Sequence, residues 1–157
     1  MKTAFSCEAL RERTGIPRAQ ADVAASEYAD GLVPVIDAVL AEPEHLWRAH
    51  DMLDTAGVVS VFNLDRILTK STGYDFAELV DRARVLHALN ALVETDATVD
   101  EIAEIYWPPR TRNQMLKEQK ANVVVVDNKL SSRENLDAAF QRVFEMSLND
   151  VVAAVRA

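Results

Sequence analysis

The chain has 157 residues, with 17 Lys and Arg against 25 Asp and Glu, a net charge of −8 and 49% hydrophobic residues. That length can bury about two-thirds of the unfolded surface without disulfide or metal staples, and the acid excess opposes adhesion to nucleic acid or anionic lipid unless a local basic patch supplies it. A single cysteine, Cys7, excludes an internal disulfide and favours a reducing compartment, the cytoplasm, while early charge at the amino terminus excludes a signal peptide and no run approaches the ~20 apolar residues of a membrane span.

In chain order, Ser6 is placed to cap a short helix through Arg13 that stops at Thr14-Gly15. Pro17 then falls in the first turn of an Ala-rich helix from Arg18 to about Asp30. Gly31 and Pro34 should interrupt it before another apolar turn, Val35 to Leu40, because proline lacks the donor a helix interior requires. Pro43 opens a helix carrying Leu46, Ala49 and Leu53 at helical spacing and ending near Gly57. The β-branched run Val58-Val59-Ser60-Val61-Phe62 reads as a short strand, followed by Asn63 as the cap of a helix from Leu64 to Thr69.

Asp75 begins the clearest long helix, with Phe76, Leu79, Val80, Ala83, Leu86, Leu89 and Val93 predicting one broad apolar face. Thr98, with Glu101 three residues on, makes a capping box for a helix from Val99 to Tyr106 that Pro108-Pro109 ends, and a second short helix is expected from Arg110 to about Lys120. Val123-Val124-Val125-Val126 reads as a buried strand before the turn residues Asp127-Asn128. Ser131 and Glu134 form a further capping box for a final helix to Val155. Its stripe of Phe144, Leu148, Val151 and Val155 suits either the core or a coiled-coil seam.

The expectation is therefore a mainly α, compact multi-helix domain over residues 1–157. A minor two-stranded ribbon would form if Val58–Phe62 and Val123–Val126 pair. There is no internal repeat or low-complexity linker.

Charge is unevenly spread. Residues 21–56 carry one basic and eight acidic side chains, whereas residues 106–133 carry six basic and two acidic ones. The basic stretch includes Arg110, Arg112, Lys117, Lys120, Lys129 and Arg133 and starts at the aromatic pair Tyr106-Trp107, a clustering suited to partner recognition. The competing arrangement pairs these cations with the chain's own acids and packs Trp107 inside.

The stretch Thr98-Val-Asp-Glu-Ile-Ala-Glu-Ile-Tyr-Trp-Pro-Pro-Arg-Thr-Arg-Asn-Gln-Met-Leu116 resembles a helix-turn-helix of the kind found in bacterial regulators. The resemblance covers about 19 residues within the basic sub-region 98–133. It implies that Ile102-Ala103 contact the second helix, and that Arg110, Thr111, Arg112, Asn113 and Gln114 reach phosphates and base edges. The departure is at the turn, where Trp107-Pro108-Pro109 replaces the usual glycine and the spacing is one residue short.

Evidence for chemistry is thin. His45 and His50 are five residues apart, about 140° around a helix, and diverge instead of converging on one metal. His87 has no partner supplied by its neighbours, Cys7 has no adjacent base, and the four single glycines make no phosphate loop. No cofactor or metal is expected. The sequence favours a non-catalytic interaction or assembly subunit, self-associating or bound to a protein partner through Tyr106, Trp107, Arg110, Arg112, Lys117, Lys120, Val151 and Val155. The alternative is a DNA-binding regulator acting through residues 98–116.

Overall fold

The longest helix has two buried faces that point in nearly opposite directions, and the rest of the fold follows from that. The structure, a computed structural model, describes residues 6–45, 47–109 and 130–156. Nine α-helices and one 3₁₀ turn, with no strand, account for the regular structure among them. In chain order these are α1 (Cys7–Arg13), α2 (Ile16–Ala24), α3 (Ala29–Ala41), the 3₁₀ turn Ala49–Met52, α4 (Leu53–Ala56) and α5 (Val61–Thr72). Then come α6 (Phe76–Glu94), α7 (Val99–Tyr106), α8 (Ser132–Phe144) and α9 (Leu148–Arg156).

Asp75 caps α6, its carboxylate accepting from the Glu78 amide at 2.8 Å. The first half of α6 buries Phe76, Leu79, Val80 and Ala83 in a core built with α2 to α5 and Trp47. The second half buries Val85, Ala88, Leu89 and Leu92 in a separate core with α1, α7, α8 and α9. At about 100° per residue these two sets are centred roughly 180° apart on the helix. The spine therefore serves one core from each side. The single broad face read from the sequence is corrected accordingly: Val93, assigned to it, is 38% exposed.

Arg84 lies at the changeover, 2% exposed, its Nε donating to the Pro43 carbonyl at 2.8 Å and an Nη to the His45 carbonyl at 3.3 Å. A buried guanidinium is tolerated only when its donors are met, and here they anchor the chain entering Trp47. Arg156 does similar work at the far end of α6. It donates to the carbonyls of Leu92 at 2.7 Å and Ala97 at 2.6 Å, placing a cation where the helix leaves acceptors unpaired.

Local capping sets most boundaries. Ser6, Thr98 and Ser131 each accept from the amide three residues on, and the last two complete capping boxes with Glu101 and Glu134. Gly15, at φ 77, turns α1 into α2.

Five further expectations are corrected. The break expected at Gly31 and Pro34 occurs earlier, between Ala24 and Ala29, and both residues lie inside α3. Ser26 explains the shift, because its hydroxyl donates to the Val23 carbonyl at 2.8 Å and accepts from the Tyr28 amide at 3.2 Å, competing with the helical pattern. Pro34 removes one donor from α3, and the burial of Leu32, Val35, Ile36 and Val39 outweighs that loss. Gly31 is required for packing, since a Cβ there would lie 2.3 Å from the Ala56 carbonyl oxygen.

Residues 58–62 are not a strand. Gly57, at φ 72, ends α4 with the Val58 amide donating to Leu53 O at 3.0 Å and its own amide to Asp54 O at 3.2 Å, the paired bonds of a Schellman motif. Ser60, not Asn63, then caps α5, accepting from the Asn63 amide at 3.1 Å. The helix expected from Pro43 is reduced to turns, the 3₁₀ segment and α4. The final helix is broken at Glu145, which adopts φ 57, and restarts at Leu148, whose amide donates to Asp137 Oδ1 at 2.8 Å. The expected helix at 110–120 and the run Val123–Val126 lie outside the described residues.

Candidate functional site

The residues expected to form a contact surface divide three ways. Trp107 is 2% exposed and packs in the core shared by α6, α7, α8 and α9, and Val151 is fully buried in the same core. Both are buried where a contact role was expected: α7 packs against α6 and α8 and carries Trp107 inward, while Val151 is turned in by the reversal at Glu145. It folds α9 back against α6 and α8, so the stripe Phe144, Leu148 and Val151 faces inward. Val155 is half-buried against the same core, and Tyr106 is half-buried with its ring edge-on to Trp107 at 6.5 Å and to His87 at 5.9 Å. Burial pushes the Tyr106 phenol above its ordinary pKa, and the Glu44 carboxylate adds to that. Arg110, Thr111, Arg112, Asn113, Gln114, Lys117 and Lys120 lie outside the described residues. Ile102 and Ala103, the inward positions of the helix-turn-helix resemblance, are fully buried. Arg133, at the edge of the basic stretch, pairs with Asp100 at 3.2 Å.

His45 and His50 are exposed and His87 is half-buried. Among the described residues no group of His, Cys, Asp or Glu is arranged to hold a metal ion, and no helix is long and apolar enough to cross a membrane.

Among the described residues, a charged cluster joins the two halves. Glu78 on α6 accepts from Arg82 Nε at 2.8 Å and from Arg142 of α8, which also reaches Asp81. Arg82 continues to the Thr14 carbonyl at 3.0 Å and stacks on Tyr74 at 4.3 Å. Burial raises the Glu78 pKa, but the hydrogen bonds and charges of Arg142 and Arg82 outweigh it and hold the carboxyl below its ordinary value. For Arg142 burial lowers the pKa, and Asp81 and Glu78 more than offset it. Every group in this cluster is engaged, as befits a structural clasp.

An open surface lies at residues the sequence had assigned to a strand. Val59 is 87% exposed and Phe62 is 76% exposed. Ser60 caps α5, so Val59 occupies the position before the cap, where an apolar residue ordinarily folds inward to staple against the fourth helical residue. That residue, Leu64, is fully buried, and Val59 faces solvent instead. Phe62 is the one exposed aromatic side chain among the described residues. Beside this pair is a cleft of about 450 Å³ between the start of α3, the α4–α5 turn and α5, with Tyr28, Asp30, Val59, Asn63 and Arg66 among its walls. A groove of about 380 Å³ continues beyond Tyr28. The ridge between them is fixed by Lys70, whose Nζ lies 5.8 Å from the Tyr28 ring centroid and 3.6 Å from Glu27.

The cleft offers apolar area, a phenol, an amide and charges of both signs, but no serine, cysteine or histidine lines it. Sequence reasoning missed it because exposure follows from tertiary packing. The available signal was Ser60 as a cap, which would have put Val59 and Phe62 at a helix start.

The chain has no significant match among protein-family models, curated proteins or solved structures.

Proposed function

We propose that the protein is a non-catalytic helical interaction or assembly subunit, and that its contact surface is the start of α5 with the adjoining cleft. One observation carries this reading: Val59 and Phe62 stand 87% and 76% exposed beside a recess, while both tryptophans are buried. Large apolar side chains grouped at the surface mark association sites, and aromatic and arginine anchors beside a pocket are the usual energetic centre of an interface. The lone Cys7, unpaired, suits a cytoplasmic setting.

The test uses Phe62→Ser and Val59→Ser in the full chain. Both side chains face solvent, so each change should leave unfolding free energy within about 0.5 kcal/mol of wild type. Light scattering across a concentration series, together with co-purification from the native host, should show an association that both variants weaken. Association untouched by either substitution would overturn the assignment. Salt-sensitive duplex binding lost in Arg110→Ala and Arg112→Ala would move the function to residues 98–116.

A further inference from the structure

Arg66 lies one turn along α5 from Phe62, exposed in the wall of the same cleft. The other described arginines and Lys70 each donate a hydrogen bond or join an ion pair. Arg66 does neither among the described residues. Asp30, exposed on the α3 wall, carries a carboxylate in the same condition. One small patch thus holds a projecting aromatic ring, a recess, an uncompensated cation and an uncompensated anion.

The geometry points to a second copy of this chain as the occupant, with Phe62 of each copy entering the other's cleft and Arg66 of each meeting Asp30 of the other. This deepens the interaction reading above and rests on it. A twofold contact requires a single surface to serve as both sides, so it must carry knob with hole and cation with anion. This patch does so within two turns of helix and the facing wall. A partner presenting one sign of charge would leave either Arg66 or Asp30 desolvated without a counter-ion, which opposes binding. The recess is large enough, because a cavity of ~150 Å³ already admits benzene and this one is about 450 Å³.

Charge reversal in the full chain separates this contact from any other. In sedimentation equilibrium the wild type should dimerise, and Arg66→Asp and Asp30→Arg should each raise the dissociation constant on the order of a hundredfold, since like charges would then face across the twofold. Mixing the two variants in equal amounts should restore dimers, because each introduced charge meets its opposite on the other chain. Circular dichroism checks that both variants stay helical. If Asp30→Arg disturbs the first turn of α3, Asp30→Asn and Arg66→Gln replace the pair, each weakening dimerisation roughly tenfold. A wild-type dimer unmoved by reversal, or not recovered on mixing, overturns this pairing while leaving the interaction reading in place. A wild type that stays monomeric at millimolar concentration also overturns it, and Phe62-dependent co-purification then decides the broader reading.

Discussion

The two halves of the molecule share one helix and end differently at the surface. Around the second half of α6, the helices α7, α8 and α9 enclose most of their apolar residues, including Trp107 and Val151, with Ile105 50% and Val93 38% exposed at the rim. Around the first half, Trp47, Leu53 and Leu64 are equally well buried, yet the chain leaves Val59 and Phe62 outside beside an open cleft. Both regions were rich in apolar residues in the sequence. The comparison teaches that residue type locates candidates for contact, while the packing of neighbouring elements decides which are spent internally.

Substitutions can break that comparison. The largest effect is expected at Trp107, where Trp107→Ala should cost about 3–5 kcal/mol in chemical denaturation because it empties a fully packed site. A loss below ~1 kcal/mol would mean that the indole is not a core group. Next, Gly31→Ala should cost about 1–3 kcal/mol, since the new methyl group meets the Ala56 backbone, and it should disturb the cleft as α3 moves away from α4. An unchanged unfolding midpoint would contradict the close approach of those helices.

Smaller and pH-dependent is the clasp between halves. Glu78 has a folded pKa below its ordinary value of 4.5. Its ionised form therefore contributes stability above about pH 4.5, and the contribution is lost as pH falls through the lower, folded value. Glu78→Gln should cost about 1–2 kcal/mol at neutral pH and flatten the acid limb of the stability curve. The same acid limb in variant and wild type would show that Arg142 and Arg82 do not stabilise that carboxylate.

What could be read in advance was what short-range hydrogen bonding decides. Ser6, Asp75, Thr98 with Glu101, and Ser131 with Glu134 cap helices as expected because each cap is complete within four residues. Harder were choices between two local solutions. Val58–Phe62 has strand chemistry, but Gly57 and Ser60 close one helix and open the next around it. Ser26 and Glu145 break helices through side-chain bonding and a left-handed residue that the apolar spacing does not register. The switch of buried face along α6 also escaped, because it depends on which helices arrive at each half. For the same reason exposure was not legible: Trp107 carries every sequence mark of a contact residue and is buried, whereas Phe62 carried those of a short strand and is exposed.

Hydrogen exchange measured at low and high protein concentration tests the central assignment most directly. If association covers the start of α5, concentrating the protein should slow exchange at amides of residues 58–67 and leave residues 99–107 unchanged. Concentration-dependent protection at 99–107, with none at 58–67, would contradict the account.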